Sequence, residues 1–191
     1  MTYSFRLTSS IWRALGLTVL WLATLLGLSA CSYAPPEGIT AITPFDFDRY
    51  QGQWYEIARL DHSFERGLTD VNATYLAQPD GSVKVINRGY SSQKGDWSQA
   101  TGTALFIGDS HRASLKVSFF GPFFGGYHVV ALDQKDYRWA LVVGPSRDYV
   151  WILARDKQLS PEVRVQLLAQ ARQLGIAVDA LIWVEHTRQD K

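Results

Sequence analysis

The sequence has one cysteine and almost no charge imbalance in 191 residues. A single cysteine excludes an internal disulfide and any cysteine-rich metal site. The 19 basic and 18 acidic side chains leave a formal charge of +1. No Lys/Arg cluster appears, which argues against a nucleic-acid surface. No Gly-x-Ser-x-Gly elbow is present to carry a nucleophile. The four histidines, His62, His111, His128 and His186, lack the spacing of a metal-binding helix. Alternation places His128 outward and His62 on a loop, so both read as surface residues. No metal, cofactor or enzymatic activity is expected. Between residues 54 and 155 helix signals are missing too.

Aromatic residues are plentiful, with seven Trp, nine Tyr and nine Phe. A core needs few rings that large, so some are expected to line a ligand site or face a membrane. The N-terminus carries Arg6 and Arg13 before an apolar run from Ala14 to Leu28, the layout of a secretory signal. The run ends Leu28-Ser29-Ala30-Cys31, which resembles the bacterial lipobox, where the peptide is cut before an acylated Cys. Residues 1–30 are therefore expected to be a lipoprotein signal peptide, with Cys31 lipidated. Loss of the signal removes both arginines and no acid, which turns a formal +1 into −1. Ser32 rather than Asp after the Cys resembles the outer-membrane class. Residues 31–43, with Pro35-Pro36 and Gly38, read as a tether. Residues 44–191 are left for the folded domain.

Short alternating segments fill that domain. Gly52 precedes Trp54, Glu56 and Ala58 on one face of a first strand. That window fits either a barrel wall or an ordinary strand with a core Trp. Further strands are expected at 71–77, 82–88, 99–107, 113–119, 127–132, 137–143 and 149–155. Turns such as Gln78-Pro79-Asp80-Gly81 and Asp133-Gln134-Lys135-Asp136 join them. Eight consecutive strands with short connections indicate an all-β, antiparallel, up-and-down barrel, because closure removes both edges. Ser160-Pro161-Glu162 then starts one C-terminal helix. Its stripe of Val163, Leu167, Leu168, Ala171 and Leu174 should pack outside the barrel, and Gly175 ends it. A short strand follows at 182–184.

Three places resemble the lipocalin family. Gly52-Gln53-Trp54-Tyr55 looks like its first motif. Leu132 to Tyr137 is similar to its second, although only Asp133 and Tyr137 match. Arg155 stands where the third motif places an Arg across the first-strand Trp. Trp54 to Arg59, Phe64-Glu65-Arg66-Gly67, Val117 to Phe123 and Gly125-Gly126-Tyr127 look like the bacterial outer-membrane members, which are lipoproteins that bind lysophospholipids and fatty acids. The resemblance implies an eight-stranded lipocalin barrel. It also implies a lipid-anchored outer-membrane protein that stores or transports such lipids.

Counting strands up and down places Gly52, Trp54, Asp133 and Arg155 at a closed floor. The loops at 60–70, 89–98, 120–126 and 144–148 form the mouth. The expected pocket lining is Glu56, Ala58, Ala73, Tyr75, Val83, Val85, Asn87, Leu115, Val117, Phe119, Tyr127, Val129, Tyr149 and Trp151. At each single position plain barrel packing is the competing reading. A buried Glu56 needs a donor. Phe120, Phe123 and Phe124 are expected to be exposed at the mouth. They would meet a membrane, form a homodimer surface or fold back as a cap. A lipid-modifying enzyme and a structural envelope protein are the alternative functions on the same barrel.

Overall fold

The computed structural model describes residues 33–188, so the expected signal and Cys31 lie outside the described residues. The strands are β1 (Gly52–Arg59), β2 (Leu68–Ala77), β3 (Val83–Ser91), β4 (Asp96–Phe106), β5 (Ser114–Phe120), β6 (Phe123–Leu132), β7 (Trp139–Val143), β8 (Val150–Ala154) and β9 (Ile182–Trp183). Neighbours in sequence pair antiparallel from β1 to β8. β1 then pairs with β2 through Gly52–Tyr55 and with β8 through Tyr55–Arg59, which closes the barrel. Near the mouth β1 and β2 part, and β9 takes the vacated edge of β1 at Ala58 and Arg59. The residues after β9 bind Asp70 of β2, whose Oδ1 accepts from the Thr187 and Arg188 amides, both at 2.7 Å.

Two cores flank the barrel wall. The inner one contains Trp54, Tyr75, Val83, Val85, Leu115, Val129, Val142 and Leu153. The outer one joins Ile57, Leu141, Val143, Val150 and Ile152 to helix α2 (Pro161–Gln173). The entire predicted helix stripe packs there, with Leu167 and Ala171 fully buried. The Ser160 hydroxyl caps α2 by accepting from the Val163 amide at 3.3 Å. β7 and β8 are therefore covered on both faces, and that explains the unbroken apolar run Leu141-Val142-Val143.

Two features depart from the sequence reading. The stretch expected as a tether is, from residue 33 on, a strap laid along the barrel. Ile39 and Ala41 are buried. The Ile42 amide donates to Val129 O at 2.9 Å, and the Phe45 amide donates to His111 O at 2.8 Å. The strap ends in a one-turn helix, α1 (Phe47–Tyr50), capped by Asp46 and tucked under the floor. The 120–126 turn is also tighter than expected. β5 and β6 pair out to Phe120 and Phe123, so only Gly121 and Pro122 lie between them.

Gly102 of β4 marks the closest approach in the wall. A Cβ there would lie 2.6 Å from Ser118 O and 2.8 Å from the Phe119 ring. Backbone on β5 has no room to yield. Gly102→Ala is expected to cost about 1–3 kcal/mol, read as a lower urea midpoint with an unchanged m-value.

Candidate functional site

Eight strands enclose a lumen wide enough for side chains or one small ligand. Its floor is built from Trp54 and Arg155. The Trp54 indole donates to Tyr50 O at 2.7 Å, and the Arg155 guanidinium carbon lies 3.9 Å from the ring centroid. Arg155 also donates to the carbonyls of Arg49, Tyr50, Gln51 and Gln53 at 2.7–3.0 Å. It thereby ties α1 to the start of β1. Gly52 sits there with φ +93, a backbone conformation that favours glycine, and a Cβ would meet an Arg155 nitrogen at an ordinary 3.5 Å. Asp133 shapes the β6–β7 turn, its carboxylate accepting from the Lys135, Asp136 and Arg138 amides at 3.2–3.3 Å.

Above the floor three tyrosines form a hydroxyl chain. Tyr50 and Tyr127 are 2.7 Å apart, and Tyr127 donates to Tyr75 at 2.9 Å. Burial holds all three phenols above their ordinary pKa, so they are neutral donors. Val83, Val85, Leu115 and Val129 complete the apolar lining. Asn87 opposes Ala73 across the β2–β3 ladder, and its amide oxygen is buried without a partner among the described residues.

The mouth half turns on one extra residue. A β-bulge at Ile57 shifts the register between Glu56 and Ala58. Strict alternation therefore fails there, and the expected pocket residue Ala58 faces outward into the core under α2. Arg59 takes the inward position opposite Trp151. This residue was missed, because a bulge leaves no mark in an alternation count. Arg59 is 2% exposed and supplies the donor that Glu56 needs, Nη1 to Oε1 at 2.6 Å. Its Nη2 donates to Glu65 O at 2.9 Å and to Leu68 O at 3.3 Å, which pins the β1–β2 loop over the mouth. The Glu65 carboxylate accepts from Trp151 Nε1 at 3.0 Å.

The charges there are unusual. Burial, then the nearby Glu65 carboxyl, pushes Glu56 up to about 8 against the opposing pull of Arg59. Burial also raises Glu65, with Trp151 and Arg59 pulling the other way. The two acids face one buried cation, so the pair keeps a proton into the neutral range.

Both histidines read as surface residues are buried. His62 stacks between Phe64 at 5.4 Å and Tyr149 at 4.9 Å, and burial followed by Arg59 lowers its pKa. His128 does point away from the lumen, but Tyr33 and Ala34 of the strap cover it. Its Nδ1 is 2.8 Å from Ser114 Oγ, and burial keeps it neutral by lowering its pKa. Tyr149 is likewise not a wall residue: it precedes β8 and stands 37% exposed at the rim. Phe120 and Phe123 are 81% and 67% exposed. Phe124 is not exposed but half-buried, with the Lys116 ammonium 5.0 Å from its ring. Among the described residues no group of three His, Cys, Asp or Glu is arranged to hold a metal. A groove of about 430 Å³ between α2 and the wall, lined by Trp139, Gln166 and Gln170, lies outside the lumen.

Comparison with known proteins agrees with this architecture. The lipocalin-like domain family matches residues 45–186. The outer membrane lipoprotein Blc of Escherichia coli is 51% identical over 173 residues, covering 91% of this chain and 97% of that protein. The Blc of Vibrio cholerae is 43% identical over 78% of this chain and 88% of its own. Insecticyanin from the tobacco hornworm superposes with a TM-score of 0.65 at 20% identity, over 83% of this chain and 88% of that one.

Proposed function

The chain belongs to the lipocalin family, and we propose that it is a lipid carrier of the bacterial outer membrane, held there through acylated Cys31 once residues 1–30 are removed. Lipocalins are in general binding proteins for small hydrophobic ligands rather than enzymes. The relatives named outer membrane lipoproteins match 91% and 78% of this chain, and their location is carried over with them. The ligand class is a single-chain amphiphile with an anionic head, a lysophospholipid or a fatty acid.

One observation carries this reading. Ala73, Val117, Phe119, Tyr127 and Trp151 pack against the inner core yet are only half-buried, whereas Leu141, Val143, Val150 and Ile152 on the outer side have no exposed surface. Inward side chains that solvent still reaches support a lumen left partly open, above the buried Val83, Val85, Leu115 and Val129. The acyl chain would lie along them, above the Trp54 floor. Arg59, a buried cation whose Nε has no partner among the described residues, would meet the head group near the mouth. The tyrosine hydroxyls and Asn87 add neutral polar partners deeper in.

The test is a titration of the form lacking residues 1–31, followed by Trp fluorescence, since Trp54 and Trp151 both face the lumen. Saturable change is expected with lysophosphatidic acid and with palmitate. Palmitate should bind at least about 10-fold more tightly than its methyl ester, because a charge-assisted bond contributes about 1.5–3 kcal/mol. Absence of saturation with either lipid rejects the carrier reading. Recovery of cleaved lipid would replace it with an enzyme.

A further inference from the structure

We propose that the barrel stands mouth-down on the membrane, with Phe120 and Phe123 immersed in the lipid interface. The proposal rests on the acylation of Cys31 stated above. Its first support is the distribution of exposed rings. The exposed aromatic residues among the described residues are Tyr33, Phe64, Phe120, Phe123 and Tyr149. All five lie at the mouth end. Phe64 is on the β1–β2 loop, Phe120 and Phe123 flank the β5–β6 turn, Tyr149 precedes β8, and Tyr33 packs beside β6. The floor end has none. An apolar rim confined to one end of a barrel fits a surface met by that end.

The second support is independent of the rings. A free tether from residue 31 to residue 43 would span about 20 Å and leave the orientation undefined. The strap removes that freedom. Tyr33 O lies 3.0 Å from the would-be Cβ of Gly126, three residues along β6 from Phe123. The Lys116 ammonium is 5.0 Å from the Tyr33 ring and 5.0 Å from the Phe124 ring. From there the strap runs toward the floor, bonded to β6 at Val129 and to His111. Two residues of chain reach at most about 7 Å, so a lipid carried on Cys31 is held within about that reach of Tyr33. An acyl anchor at that position draws the mouth, not the floor, against the bilayer. Phe rings gain by burial at the headgroup/acyl boundary, and Tyr rings with their polar tips suit the headgroup level. A single-chain lipid could then pass between bilayer and lumen without crossing bulk water.

The experiment uses the full acylated chain in phosphatidylethanolamine/phosphatidylglycerol vesicles. With Cys31 acylated, an introduced cysteine is the one free thiol for an environment-sensitive fluorophore. Gly121→Cys labels the hairpin, where a side chain meets nothing within 4 Å. Lys135→Cys labels the floor end, where the native side chain is 90% exposed. Quenching by nitroxide-labelled phospholipid is expected to be several-fold stronger at 121 than at 135. Equal quenching, or stronger quenching at 135, overturns the orientation. Burial of the 121 label that rises with protein density and ignores the nitroxide overturns it in favour of a second copy on the same rings. The mass of the N-terminal peptide reports acylation separately: an unmodified Cys31 overturns both readings, whereas an acylated one with equal quenching overturns the orientation alone. Phe120→Ser combined with Phe123→Ser should slow lysolipid uptake from vesicles several-fold and leave the affinity for lipid in solution unchanged. An unchanged uptake rate counts against the docking role of the hairpin.

Discussion

Trp54→Ala is expected to lower the unfolding free energy by about 3–5 kcal/mol. The ring is fully buried at the floor, 4.8 Å from the Tyr50 ring and under the Arg155 guanidinium. Removing it leaves a cavity that the surroundings are poorly placed to fill, because Arg155 is fixed by bonds to four carbonyls of the segment 49–53. The lost indole bond is a small part of the cost. Tyr50 O keeps Arg155 Nη2 at 2.9 Å and stays satisfied. Trp54→Phe should therefore lose only about 1–2 kcal/mol, since most of the ring remains. Urea unfolding of both variants checks the ordering. Equal losses would mean that the hydrogen bond and not the packing holds the floor closed. The alanine variant should also bind lipid more weakly, because the lumen loses its lower wall.

The parts of this fold that alternate were legible in the sequence, and the parts that break alternation were not. Gly52, Trp54 and Arg155 could be placed at one end by counting strands, and the α2 stripe could be placed outside the wall by its period. Val83, Val85 and Leu115 fell on the inner face because their strands run regularly there, and Val129 did so just before β6 shifts its register against β7. The bulge at Ile57 undid the count within three residues. It sent Ala58 outward and brought Arg59 in, and with Arg59 the most strongly charged feature of the lumen. A buried arginine is rare enough that none is expected on an inner face without a structure. The strap was hidden for a different reason. Its prolines and glycine resemble a linker, and what makes it part of the wall is the burial of Ile39 and Ala41 and the backbone bonds of Ile42 and Phe45 to distant residues. His128 does face outward but is buried under the strap, and His62 is buried because its loop folds the ring between Phe64 and Tyr149, neither of which a periodic pattern announces.

Arg59→Met is expected to cost about 3–5 kcal/mol near pH 8, because it leaves Glu56 and Glu65 buried with no cation. The same variant should lose much less near pH 5, and the reason lies in the protons. In the unfolded chain Glu56 titrates near its ordinary value of 4.5, and in the folded protein near about 8. Between those values the folded state holds the extra proton. The stabilisation is full below about pH 4.5 and is lost as pH rises toward about 8, by at most about 1.4 kcal/mol per pH unit. That value of about 8 already contains the opposing pull of Arg59, whose Nη1 lies 2.6 Å from Oε1. Without Arg59 only the Trp151 bond to Glu65 opposes protonation, both acids hold their protons to higher pH, and the slope steepens. Glu56→Gln should do the opposite. It leaves one carboxylate, on Glu65, for one guanidinium, and the fall in stability between pH 5 and pH 8 should flatten. Thermal unfolding at pH 5, 6.5 and 8 for the native chain, the two single variants and the double variant gives the coupling at each pH. A loss on Arg59→Met that is independent of pH would show that the arginine acts through its bonds to the Glu65 and Leu68 carbonyls and not through charge. A loss that grows with pH identifies the two carboxyls as the groups it holds in place at the mouth.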